Sequence, residues 1–168
     1  MTVPDGELLA LARALPIPVP WNRDVFIDNL AAQRGRRIRL IPTDTSAFTE
    51  SPCGVWLIRD DDDLIFHQSG TSDYHIDQIV CHEVGHMMLG HGLDQEIGTY
   101  RTLDFDPWRK VLPDIDPATV HAILTRKDYG SGQERDAEMF ANMLMIAAAE
   151  ASERSSAMMS SVFFSRAT

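Results

Sequence analysis

Cys81-His82-Glu83-Val84-Gly85-His86-Met87-Met88-Leu89-Gly90-His91 is the stretch whose reading decides the fold. A helix turns once every 3.6 residues, so His82 and His86 project from one face about 6 Å apart, the spacing of two ligands to one metal ion. Glu83 lies about 100° round the same helix, within reach of a water on that metal but badly aimed to bind the metal beside both histidines. The division of labour is that of the His-Glu-x-x-His zinc peptidases, with Glu83 as the general base. The alternative is two histidines on an ordinary amphipathic helix.

Working outward, Ser72 and Asp73 can cap the helix that carries the motif, and Ile76, Ile79, Val80, Val84, Met87 and Met88 anchor it in a core. Gly90 and Gly92 bracket its end. His91, five residues beyond His86, falls on a different face and reads as a capping or core residue rather than a ligand. Gly85, between the two histidines, lets the backbone of another element come close. Cys81 reads as a small buried residue rather than a thiolate on the metal.

On the N-terminal side of the motif, Val55 to Ile58 and Leu64 to His67 are β-rich runs separated by Arg59 and Asp60 to Asp63, the pattern of a hairpin. The aspartate run lacks the spaced ligands and glycine of a calcium loop and reads as a solvated turn. Ile38 to Ile41 supplies a further strand, and the three are expected to form a small antiparallel sheet. Arg34, Arg36, Arg37 and Arg39 read as solvated charges where a helix passes into that strand, the alternative being a docking patch for an acidic partner. Earlier still, a helix with Asp5 in a capping position and Leu8, Leu11, Ala12 and Leu15 at helical spacing leads into the stiff connector Pro16 to Pro20. A second helix follows, capped by Asn22, with Val25, Phe26, Asn29 and Leu30 on its expected buried side, and stopped by Gly35.

Beyond the motif, Asp116-Pro117-Ala118-Thr119-Val120 reads as the capped start of a short helix ending near Arg126. Tyr129 to Gly132 form a flexible joint, and Gln133 to about Ala151 are strongly helical, with no glycine or proline. Residues 152–168 form a serine-rich tail whose Met158, Met159, Val162, Phe163 and Phe164 suggest packing on the body or on a partner.

Catalytic zinc commonly takes three protein ligands and keeps one position open. The helix after Gly132 offers Glu134 and Glu138 four residues apart on one face, with Ala137, Phe140, Ala141 and Leu144 on the side that packs inward. One carboxylate can bind zinc while its neighbour accepts a hydrogen bond from a ligand histidine. His67 and His75, the other nearby histidines, are read as a strand-end and a helix-start residue.

Over residues 55–148 the sequence resembles the ImmA/IrrE metallopeptidases and, more distantly, the thermolysin-like zincins that use a glutamate as third ligand. The resemblance rests on His82-Glu83-x-x-His86 together with Glu134, Ala137, Glu138, Phe140 and Ala141 on a later helix. It implies a zincin-like, minimal gluzincin core in an α+β fold, with Glu134 as third ligand to one zinc per chain and Glu138 as the partner of a ligand histidine. Asp136 stands where many members have glutamate, so Asp136 or Glu138 would be the ligand in another register. Members act on transcriptional regulators, often helix-turn-helix repressors, in stress responses, phage or mobile elements. Some carry a helix-turn-helix domain in the same chain, for which this chain has no convincing segment.

The remaining bounds come from composition. With 168 residues and 44% hydrophobic content, a single domain over 1–168 is expected. The formal charge of −10 repels phosphate backbones, so a protein or peptide partner is expected rather than nucleic acid. No apolar run is long enough for a bilayer, the N-terminal stretch lacks the basic start of a signal peptide, and Cys53 and Cys81 make no disulfide framework, so the expected location is cytoplasmic. The expected activity is zinc-dependent peptide hydrolysis, with Tyr129 or His121 as candidate donor to the carbonyl oxygen. A regulator that senses zinc or a ligand and binds a transcription factor without cutting it would share the ligands. A protein with a structural zinc would need a closed four-ligand site, for which no fourth ligand is obvious.

Overall fold

The computed structural model describes residues 2–44, 54–93, 105–110, 112–125 and 128–165, without the side chains of 107, 164 and 165. Cys53, the expected helix end near Arg126 and the side chain of Phe164 lie outside the described residues. Helices α1 (Asp5–Arg13) and α2 (Arg23–Arg34) precede β1 (Arg37–Thr43), β2 (Gly54–Arg59) and β3 (Asp62–Gln68). The motif helix α3 (Asp73–Leu89), β4 (Val120–Leu124) and the long α4 (Ser131–Ser165) complete a mixed α+β fold.

Local chemistry sets several boundaries. The Asn22 side chain accepts the Val25 N–H at the start of α2, and Gly35, at φ 64°, ends it in the left-handed conformation that glycine adopts without a Cβ clash. Phe26, Ile27 and Leu30 form its buried side, whereas Val25 is exposed, one position off the expected stripe. Ser72 accepts the His75 N–H to open α3, and Gly90, at φ 68°, closes it. Asp77, buried in α3, accepts hydrogen bonds from Trp21 Nε1 at 2.9 Å and Arg23 at 2.6 Å, which ties the first half of the motif helix to the α1–α2 region.

The sheet is mixed rather than antiparallel, with strand order β1-β3-β2-β4. The hairpin β2–β3 is antiparallel as expected, with Gly54 opposite His67 and Trp56 opposite Ile65. However, β1 pairs with β3 rather than with its neighbour in sequence and runs parallel to it, Ile38 opposite Asp63. The expected helix after Asp116 is instead a three-residue 3-10 turn, Pro117–Thr119, that leads directly into β4. Asp116 caps that turn through the Ala118 N–H, but Val120 and Ile123 suit a strand, and the edge of β2 supplies its backbone partners.

Side chains alternate between two cores. Ile38, Trp56 and Ile65 face the helices, where they meet Phe26, Leu30, Val80, Val84, Phe140 and Leu144. Val55, Leu57, Leu64 and Phe66 face the other way with Ile123 of β4 and are covered by Phe105 and Leu112.

The aspartate run is likewise only half a turn. Asp62 and Asp63 begin β3 and are buried. Asp63 pairs with Arg34 at 3.1 Å and Arg36 at 3.2 Å, and Asp62 pairs with Arg59 at 2.6 Å. Thus two of the arginines read as solvated instead neutralise a buried carboxylate at the start of β3. Finally, α4 continues through the expected tail to Ser165, since nothing between Gln133 and Ser165 is glycine or proline. Met158, Met159, Val162 and Phe163 on this extension are exposed.

Candidate metal centre

The site forms where α3 and α4 touch. Their approach is close because residue 85 has no side chain: a Cβ there would lie 3.1 Å from the Ala137 carbonyl oxygen and 3.1 Å from Phe140 Cδ1. Ala137 and Phe140, both fully buried, therefore seat one turn of α4 against the turn of α3 that bears the histidines. Glu134, one turn before Ala137 and Glu138, is carried to the same place.

Among the described residues, His82, His86 and Glu134 bring one ligand atom each within 4.8 Å of one another. His82 Nε2 and His86 Nε2 are 3.0 Å apart, Glu134 Oε1 is 3.2 Å from His86 Nε2, and Glu134 Oε2 is 3.7 Å from His82 Nε2. Donors on a tetrahedral zinc with bonds of about 2.0–2.1 Å sit about 3.3–3.4 Å apart, so the three atoms already stand near the corners such an ion would impose. Two imidazole nitrogens and a carboxylate oxygen are also a donor set that zinc takes in sites that keep a fourth position open. The residues fit the ion.

The other two carboxylates weighed on α4 are placed differently. Asp136 is buried facing the N-terminal segment, where its Oδ2 accepts the Val3 N–H at 2.9 Å. Glu138 has an exposed side chain.

Glu83 is buried beside the ligand cluster and outside it. Its Oε2 has no hydrogen-bond partner among the described residues, and burial, followed by the nearby Glu134 carboxylate, pushes its pKa up to about 8. The start of β2 presses on it: a Cβ at Gly54 would lie 2.5 Å from Glu83 Oε1 and 2.8 Å from Ile79 Cγ2. Gly54 therefore gives the carboxylate its space, a role with no signal in the sequence beyond a glycine at the head of a strand.

Tyr129 stacks on His86, ring centroids 3.5 Å apart and planes 9° from parallel. Its hydroxyl is buried without a hydrogen-bond partner among the described residues, and burial, then the carboxylates of Glu83, Asp128 and Glu134, raise its pKa, so the phenol keeps its proton. His121 is elsewhere. It lies on β4 beside the Arg59 end of β2, opposite to the Gly54 end that meets Glu83, and it pairs with Asp60.

His91 returns over the motif. Gly90 and Gly92, both at positive φ, bend the chain after α3 so that the His91 N–H bonds to the His86 carbonyl and His91 Nδ1 comes 3.0 Å from His86 Nδ1. A helical projection carried through Gly90 misses this contact. Cys81 is buried with Sγ 3.9 Å from Met145 Sδ, and burial pushes its thiol pKa up, which keeps it a thiol. His67 is buried at the end of β3, its Nδ1 3.1 Å from the Gln68 carbonyl.

Comparisons with protein-family models, with curated proteins and with solved structures found no match. No helix among the described residues is long and apolar enough to cross a membrane.

Proposed function

We propose that the chain is a zinc metallopeptidase with a zincin-like core of the ImmA/IrrE type, and that its substrate is a transcriptional regulator. The observation that carries the reading is the convergence of His82, His86 and Glu134 from two helices, with the buried carboxylate of Glu83 beside the cluster. Zinc held there would act as a Lewis acid that makes water nucleophilic near neutral pH and polarises the scissile carbonyl.

The chain's own groups do the rest. Glu83, buried beside the ligand cluster, would accept a proton from the attacking water in the carboxylate form that a cation at the site favours, and deliver it to the leaving amine. Tyr129, still protonated and without a hydrogen-bond partner at its hydroxyl among the described residues, is the donor for the carbonyl oxygen as it gains charge. Glu138 is assigned as hydrogen-bond acceptor for a ligand histidine, a role that rests on the family resemblance. The same resemblance supports a helix-turn-helix regulator as the substrate, and the net charge of −10 suits a protein partner better than nucleic acid.

The test is metal content of the purified wild type, Glu83→Gln and Glu134→Ala proteins, followed by incubation of each with a candidate helix-turn-helix regulator. One zinc per chain in wild type and Glu83→Gln, its loss in Glu134→Ala, and cleavage by wild type alone are expected. Regulator binding without cleavage by the zinc-loaded wild type would replace the peptidase with a sensor. Full zinc retention by Glu134→Ala would move the third ligand to another carboxylate.

A further inference from the structure

We propose that His91 is the positioning residue of this metal centre, its Nδ1 accepting a hydrogen bond from His86 Nδ1–H and so fixing the tautomer in which His86 offers Nε2 to the ion. The inference rests on the metal reading above and adds to it a residue outside the ligand set.

A neutral imidazole carries one N–H. If His86 presents a lone pair at Nε2 towards His82 and Glu134, its proton must sit on Nδ1. The atom facing that proton is His91 Nδ1, 3.0 Å away, and both residues are buried, with His86 at 0% and His91 at 6% exposure. Two bare nitrogens at that distance would repel each other, so His91 accepts and keeps its own proton on Nε2. Ligand histidines ordinarily donate this second N–H to a carboxylate, a backbone carbonyl or water. Here the acceptor is another imidazole, which adds no negative charge to a site that already holds Glu134 and Glu83.

The backbone is built for the contact. If α3 ran on through residue 91, the side chain would project about 140° away from His86. Instead Gly90 turns the chain at φ 68°, Gly92 turns it again at φ 75°, and the His91 N–H returns to the His86 carbonyl at 3.0 Å. His91 meets His86 edge-on, with planes 66° apart, while Tyr129 lies flat against the same ring. Stacking sets the plane of His86 and the His91 contact sets its rotation within that plane.

The experiment compares zinc affinity, by chelator competition on the full chain, in wild type, His91→Leu and His91→Asn, with thermal unfolding of each metal-free protein as a control. The asparagine δ-oxygen can stand where His91 Nδ1 stands and still accept, whereas leucine fills similar space and cannot. His91→Leu is expected to bind zinc about 10- to 100-fold more weakly than wild type. His91→Asn is expected to recover most of that loss, while the two metal-free variants unfold at similar temperatures. A leucine variant that binds like wild type, or an asparagine variant as weak as leucine, overturns the positioning role. A wild type that takes up no zinc removes the metal reading and this inference together.

Discussion

Glu83 is the residue in which stability and chemistry pull against each other. In the unfolded chain its carboxyl titrates near its ordinary value of 4.5, and in the folded, metal-free chain near 8. Below the lower value both states are protonated and burial of the group has no ionic cost. As pH rises from 4.5 towards 8 the unfolded state ionises while the native state holds its proton, so the native advantage shrinks, and it is fully lost above 8. Glu83→Gln keeps the shape and removes the charge. Urea unfolding of the metal-free proteins should therefore show the variant more stable by about 1–3 kcal/mol at alkaline pH, with the difference closing at acid pH. Adding zinc should narrow the gap, because a nearby cation favours the ionised carboxylate. Gly54→Ala probes the same side chain from the sheet. Its methyl would fall 2.5 Å from Glu83 Oε1, so the carboxylate must move while the ligand atoms need not. On the peptidase reading, proteolysis should drop at least about tenfold with zinc content unchanged, since a misplacement near 1 Å can cost a factor of about a hundred.

The elements differ in how far the sequence announces them, and the difference follows the range of the interactions that form them. Helices α2 and α3 are bounded by side chains within three residues of their ends, Asn22 and Ser72 at one end and glycines at the other, so local chemistry suffices. The β2–β3 hairpin is equally local. The parallel seat of β1 on β3 is not: it depends on a buried carboxylate, Asp63, meeting Arg34 and Arg36 across from the end of α2. Read along the chain, the acidic run and the basic cluster each look solvated, because nothing local says they face each other. Likewise β4 carries a helix-start signature that yields to the open edge of β2. Asp63→Ala tests the assignment. It leaves two arginines without their buried partner, and because both are about a quarter exposed and can turn to water, the expected cost is about 2–3 kcal/mol in chemical denaturation, short of a fully buried pair. Zinc affinity should be unaffected in the protein that remains folded.

Taken together, the molecule places its site where α3 meets α4, and this decides what could be read in advance. His82, Glu83 and His86 lie within one turn of one helix, so their arrangement follows from helical geometry alone. Glu134 joins them only because Gly85 admits Ala137 and Phe140, a fact of packing between two helices that the periodicity of either one does not contain. The same helix then outruns the body. Its 35 residues extend about 52 Å, while a compact domain of this size has a radius of gyration of about 15 Å. Ala137, Phe140, Ala141, Leu144, Ala147 and Ala148 are buried, and Arg13 reaches Glu150 at 2.8 Å. From residue 156 to 163 every side chain is exposed. Helical hydrogen bonds without tertiary cover open easily, because packing rather than propensity supplies most helix stability. Amides of residues 156–163 are therefore expected to exchange with deuterium at least about a hundredfold faster than those of 137–148. Zinc should slow exchange in the first half of α4, through Glu134, and leave the distal half as it was. Slow exchange beyond residue 156 in dilute protein would mean instead that the stripe of Met158, Met159, Val162 and Phe163 is covered in solution.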